Sequence, residues 1–251
     1  METIYQTLKL RTQQIAAHYP APSFYRRHAL ECRYSAGFFH TNGFIVSLKE
    51  TVRDRLSENL GHGFEHASKV SLDAGTLVLI EASLARLSRP AIERLLLLVQ
   101  SAALLHDISR TEENHSRKGA QIARNLLQEY TFDAREVDDI CRAIYNHEAF
   151  KETASSPTQT GSILSNCLYD ADKFRWGTDN FSYTLWDMVR FSDIPIDRFV
   201  AHFPKGMETL VKIRETFRTR TGKKYGPDFI DIGLAIGREL YRVIENEFHL
   251  F

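Results

Sequence analysis

Leu95-Leu96-Leu97-Leu98-Val99-Gln100-Ser101-Ala102-Ala103-Leu104-Leu105-His106-Asp107 is the stretch on which the fold turns. Pro90 stands where a first helical turn belongs, and from there to His106 the chain is apolar around nearly the whole circumference of a helix. Such a helix is central and buried. At eleven residues interrupted by Gln100 and Ser101, its most apolar part (Leu95 to Leu105) is too short to span a bilayer. The run ends in an imidazole and a carboxylate, and burying that pair is costly unless each group finds a partner. The alternative is a helix end at which Asp107 already faces solvent.

Working outward, the pattern is helical nearly throughout. A helix from about Phe64 to Leu87 carries Ala67, Val70, Ala74, Leu77 and Leu84 on one side. Ser47 with Glu50 has the form of a capping box, followed at helical spacing by Leu48, Val52, Leu56 and Leu60. Ala120, Ala123, Leu127 and Tyr130 mark another helix. Asp133 and Glu136 form a second capping box, ahead of Val137, Ile140, Cys141 and Ile144. Lys151 to Gly161 reads as a loop, and Ile163, Leu164, Cys167, Leu168 and Ala171 as a helix. The aromatic segment Trp176 to Pro204 takes no assignment, and two helices follow, near Met207 to Phe217 and from Asp228 to Phe248. Asn42-Gly43, between Phe38-Phe39 and Phe44-Ile45-Val46, is the one hairpin signal. Strands do not alternate with helices, so the expectation is an all-α fold and not a Rossmann or other α/β fold.

With 251 residues, the chain fits one large domain or two small ones. Hydrophobic residues make up 43% and charged residues 25%, the mix of an ordinary globular protein. Lys plus Arg and Asp plus Glu each number 32, so no global field draws the protein to nucleic acid or to an anionic membrane. Any recognition of phosphate must be local. Cys32, Cys141 and Cys167 are odd in number, widely spaced and without a C-x-x-C, which suits a reducing compartment. Met1 to Leu10 lacks the pattern of a signal peptide. The expected location is the cytoplasm.

Three further segments aim metal-capable side chains at the core. His66 shares a helix face with Val70, His147 lies three residues beyond Ile144, and Asp172 lies four beyond Leu168. A lone histidine on an apolar face is usually a satisfied core residue. Several of them with two carboxylates are better explained by a shared cation, which neutralises the acids and satisfies the imidazoles. Imidazole and carboxylate ligands without thiolate suit Mn, Fe, Co, Ni or Zn.

The ordered set His66 … His106-Asp107 … Asp172 resembles the HD superfamily of metal-dependent phosphohydrolases. His62-Gly-Phe-Glu-His66 is similar to its opening His-x-x-x-His, Leu104-Leu105-His106-Asp107-Ile108 to its central motif, and Asp170-Ala-Asp172-Lys173-Phe174 to its closing segment. Each motif is weak alone, and the ordered set is strong. The resemblance implies an HD-type helical bundle, with a metal-binding core over 61–175, an N-terminal helical extension over 1–60 and C-terminal helices over 176–251 packing on that core. It implies a divalent transition metal held by His66, His106, Asp107 and Asp172, with Asp107 as the catalytic anchor. His115 and His147-Glu148 are similar to the additional ligands of two-metal members, so one or two ions are expected, with Asp107 bridging. The second site would be the weaker because Asn146 stands where a histidine is expected. HD-GYP phosphodiesterases differ, carrying two adjacent histidines and a Gly-Tyr-Pro where this chain has Asn146-His147 and Ala149-Phe150-Lys151.

Arg110 falls where many family members place a basic residue, so it is a candidate phosphate ligand. Its other reading is a cation at a helix end. His62 is a candidate substrate contact or a helix-entry residue, and His115 is either a ligand or a solvated side chain. Arg218, Arg220, Lys223 and Lys224 read mainly as a solvated loop. The function implied is hydrolysis of a phosphate ester, of a small nucleotide or related phosphorylated metabolite. The rivals are a di-iron HD-type oxygenase and a non-catalytic metal-binding regulatory module. The partner expected is the small phosphorylated substrate, with no nucleic acid and no membrane, and homo-oligomerisation is compatible with the sequence.

Overall fold

The computed structural model describes residues 2–56 and 63–247, and among them there are helices and no strand. In chain order they are α1 (Glu2–Ala16), α2 (Ser23–Arg27), α3 (Ala29–Thr41), α4 (Gly43–Leu56), α5 (Phe64–Leu84), α6 (Arg89–Leu105), α7 (His115–Leu127), α8 (Ala134–Tyr145), α9 (Gln159–Phe174), a π-helical turn (Asn180–Thr184), α10 (Leu185–Phe191), α11 (Ile196–Ile213) and α12 (Arg220–Glu247). The apolar run lies in α6, and every residue from Leu95 to Leu105 is buried. Around it stand α4, α5, α8 and α9, with α7 touching its end. Its two polar residues are paired internally. Gln100 Nε2 donates to Ser35 O at 3.0 Å, and Ser101 Oγ donates to Leu97 O at 2.8 Å. Close approach of α3, α5 and α6 requires Gly75, where a Cβ would stand 2.8 Å from Leu96 Cδ1.

The structure corrects several boundaries. Asn42-Gly43 is a helix–helix junction and not a hairpin. Asn42 has ψ 119° and ends α3, while its Oδ1 accepts from the backbone N–H groups of Phe44 at 3.1 Å and Ile45 at 3.2 Å. The residue thus caps α4, the other common use of Asn at a chain reversal. Ser47 and Glu50 lie inside α4 and form no entry cap, because the helix already begins at Gly43. The second capping box is present, with Asp133 accepting from the N–H groups of Arg135 and Glu136. Helix α5 stops at Leu84, three residues early, and Arg86 turns the chain with φ 57°. Gly161 belongs to the first turn of α9, so the loop ends before it.

The segment 176–204 holds the π-helical turn, α10 and the first half of α11, with Pro204 inside α11 and Pro227 inside α12. Arg220, Lys223 and Lys224 occupy the first turns of α12 and not a loop. Arg218 lies across the Tyr169 ring, its guanidinium carbon 3.4 Å from the ring centre.

Terminal helices are tied to the core by specific polar links. Arg175 donates to Asp73, to Asp179 at 2.5 Å and to Tyr25 Oη at 2.7 Å, joining α2, α5 and the end of α9. Phe174 stacks on Phe229 of α12, their ring centres 4.0 Å apart. Asp170, fully buried in α9, accepts from Arg218 N and Thr219 N at 2.8 Å and from Thr219 Oγ1 at 2.7 Å. These bonds fix the entry to α12. Burial pushes the Asp170 carboxyl up to about 6, against the pull of its donors. Replacing Asp170 by Ala leaves two backbone donors without that acceptor, so Asp170→Ala is expected to lose about 1–3 kcal/mol in urea denaturation. Its metal content should match that of the parent protein.

Candidate metal centre

Five places in the bundle deliver donor atoms to one point. The first turn of α5 supplies His66, and the end of α6 supplies His106 and Asp107. The first residue of α7 is His115, His147 follows the end of α8, and Asp172 lies in the last turn of α9. All six are buried. Asn114, with φ 57°, reverses the chain so that α7 starts pointing back at Asp107. Ser109 Oγ holds this corner by donating to His115 O at 2.8 Å.

The two oxygens of Asp107 face two different groups. On one side, Asp107 Oδ2 lies 3.3 Å from His106 Nε2 and 3.8 Å from His66 Nε2. Asp172 Oδ1 closes this ring at 3.3 Å from His66 Nε2 and 3.8 Å from His106 Nε2. On the other side, Asp107 Oδ1 lies 3.4 Å from His147 Nε2 and 3.5 Å from His115 Nε2, and the two imidazole nitrogens are 3.2 Å apart. His66, His106 and Asp107 could hold one ion, and Asp107, His115 and His147 another.

Hydrogen bonding prepares the rings for that task. His106 Nδ1 faces Ala103 O at 2.7 Å, and His147 Nδ1 faces Ile144 O at 2.5 Å. A carbonyl accepts only, so each Nδ1 carries the proton and each neutral ring turns an Nε2 lone pair inward, the arrangement of a metal-binding histidine. His106 Nε2 is buried and makes no hydrogen bond, although a carboxylate oxygen is 3.3 Å away. A cation supplies what this atom lacks, so the donor set fits a divalent transition metal.

Electrostatics run the same way. Burial works against the charge on Asp172, but Lys173 and the two neighbouring imidazoles hold its carboxyl well below the usual range. Burial lowers His66. His106 alone is raised despite its burial, because Asp107 and Asp172 stand beside it, and those two carboxylates favour a positive charge at this point, a proton's or a metal ion's. Burial, with His147 and Arg110 adding to it, pushes His115 down to about 4, so its ring is neutral near pH 7.

The model of the HD domain family matches residues 63–177, the span from the N-cap of α5 to just beyond α9. This segment of the chain is an HD domain. No curated protein and no solved structure matches it. The superfamily is of the metal-dependent phosphohydrolase type, and HD domains bind divalent metals. Among the described residues, no helix of this HD protein is long and apolar enough to cross a membrane.

The remaining candidates fall into place around the HD residues. Arg110 lies against the second group, its Nη1 2.9 Å from His115 Nε2. His62 lies outside the described residues. Asn146 faces away, donating to Ala154 O at 2.9 Å and Ser165 Oγ at 3.0 Å, so its task is to pin the 151–158 loop to α9. Asp170 faces α12, as described above, and leaves Asp172 as the carboxylate of α9 at this centre. Glu148, the partner of His147 in the motif, stands behind His115, 3.8 Å from its Nδ1.

Lys173 was not legible as a site residue. It is almost completely buried, and its Nζ donates to Asp172 Oδ2 at 2.5 Å and to His147 O at 3.0 Å. It therefore neutralises one carboxylate while joining the two halves of the centre. Its trace in the sequence is its place beside Asp172 in the closing segment Asp170-Ala-Asp172-Lys173-Phe174. Lys173→Met would leave Asp172 charged and buried without that partner, and a loss of about 3–5 kcal/mol is expected. Saturating Mn²⁺ should return more stability to the variant than it adds to the parent, as read by urea denaturation with and without the ion.

Proposed function

We propose that this protein hydrolyses a phosphate ester of a small molecule, a nucleotide or related phosphorylated metabolite, with one or two divalent metal ions bound at Asp107. The observation that supports this best is the convergence of four imidazoles and two carboxylates on one buried point. His66, His106, Asp107 and Asp172 would hold the first ion, and Asp107, His115 and His147 would hold a second.

A cation so bound would supply Lewis acidity, by which a metal lowers the pKa of water and polarises a phosphoryl oxygen. The protein does the rest. Asp107 presents one oxygen to each half of the centre and fixes their separation. Lys173 holds Asp172 in one orientation. His106 and His147 keep their inward lone pairs because backbone carbonyls hold their other nitrogens. Arg110, one-quarter exposed at the edge, binds the substrate phosphate, for which a guanidinium is suited by its paired donors.

Four imidazoles with two carboxylates also suit iron, which favours a di-iron oxygenase as the second reading. Metal analysis of the purified protein, a phosphoester screen with Mn²⁺, Fe²⁺, Co²⁺, Ni²⁺ and Zn²⁺, and measurement of dioxygen uptake separate the two. Metal-dependent phosphate release without oxygen consumption is expected, and oxygen uptake with no phosphate release would overturn the proposal. Asp172→Ala should weaken metal binding by more than the roughly 100-fold typical of losing an outer-sphere partner, with far-UV circular dichroism unchanged. Full metal occupancy in that variant would remove Asp172 from the ligand set.

A further inference from the structure

The second half of the centre already contains a positive charge. Arg110 Nη1 lies 2.9 Å from His115 Nε2 and 4.0 Å from Asp107 Oδ1. Those two atoms and His147 Nε2 form a triangle with edges of 3.2, 3.4 and 3.5 Å. A guanidinium can only donate, so His115 Nε2 is the acceptor and its lone pair is committed to Arg110. A metal ion at this triangle needs the same lone pair. It would also stand against the guanidinium charge in a site with few charges to offset it.

We infer that Arg110 takes the place of the second metal ion, and that the second ion binds when a phosphate group draws Arg110 off His115. This inference rests on the metal-dependent reading proposed above. Three features support it. First, the residue is built to move. Asp107 and His147 are buried to within a few per cent, whereas the Arg110 side chain is 26% exposed and lies at the mouth of the group. Second, the receiving partner matches the donor, since a phosphate dianion accepts the paired N–H groups that His115 engages singly. Third, charge balance favours joint entry. Asp107, Asp172 and Glu148 carry three negative charges, against Lys173, Arg110 and a first divalent ion carrying four positive ones. A second divalent ion raises that excess from one to three, and a phosphate dianion brings it back to one. Occupancy of the second position is then coupled to the presence of substrate, and the two stabilise each other reciprocally.

Equilibrium dialysis against Mn²⁺, with and without methylphosphonate as a non-hydrolysable phosphate mimic, tests this without any turnover. The parent protein should hold one ion per chain in Mn²⁺ alone, and a second with at least tenfold higher affinity when methylphosphonate is present. Arg110→Ala should bind two ions in Mn²⁺ alone, its second-ion affinity raised at least tenfold and no longer responsive to the anion. Unchanged affinity for the first ion and unchanged circular dichroism would show that the variant is folded. The anion dependence of the parent stands as a separate measurement needing no variant. Equal second-ion affinity in parent and variant, or a parent that takes two ions with no anion effect, would overturn the inference. Absence of any bound ion in the folded parent would overturn the metal-dependent reading itself.

Discussion

The carboxylate of Asp107 is the point on which this structure depends. It is 1% exposed, and imidazoles from α5, α6, α7 and the end of α8 surround it at 3.3–3.8 Å. A charge removed from water to that degree destabilises the fold unless neighbours compensate it. The bundle supplies compensation by geometry. α6 must be apolar on every side to be central, and because it is central its C-terminal end delivers Asp107 to the middle of the molecule. Helices packed around α6 then have their own ends or first turns within reach of that carboxylate. Burial of one helix and assembly of one polar centre are therefore the same event.

That arrangement orders the polar interactions by role. Asp170 and Asp172 are two residues apart on α9, so they project to different sides of the helix. One receives the backbone of the α12 entry and is structural. The other receives Lys173 and faces His66. Asn146 and His147 divide in the same way, Asn146 binding the 151–158 loop and His147 facing Asp107. Adjacent residues with similar chemistry thus serve the scaffold and the centre separately, and each can be removed without directly removing the other.

What could be read from the sequence follows from the range of the forces involved. Helical periodicity is local, and α5, α8 and α9 were legible because their apolar faces repeat every three to four residues, while α6 was legible because its apolar run is continuous. Asn42-Gly43 misleads because Asn serves a hairpin turn and a helix cap equally well, and tertiary packing chooses between them. The segment 176–204 resists reading because aromatic residues, a π-helical turn and Pro204 obscure the period, although Trp186 and Phe199 are buried against α1 through Tyr5. At the centre, histidines on apolar faces stand out, since they interrupt a pattern. Lys173 and the Asp73–Arg175 pair do not, because a charged residue in a helix is ordinarily solvated, and only the packing of α5 against α9 turns these inward.

The placement of the two cations beside the centre completes the physical picture. Lys173 is buried and held by two acceptors, so its Nζ is fixed in place on the Asp172 side. Arg110 is partly in water and contacts one ring nitrogen, so its position, though not its charge, is free to change. A cation fixed in place on one side and a movable one on the other make the halves unequal even though each offers imidazoles and an oxygen of Asp107. The first position keeps its Nε2 lone pair on His106 uncommitted, and its two carboxylates favour a cation at all times. The second has one shared carboxylate oxygen and a guanidinium already seated on His115. If the centre takes two ions as proposed, Arg110 and Lys173 would make their affinities unequal, while the Asn146 side chain is engaged with Ala154 and Ser165.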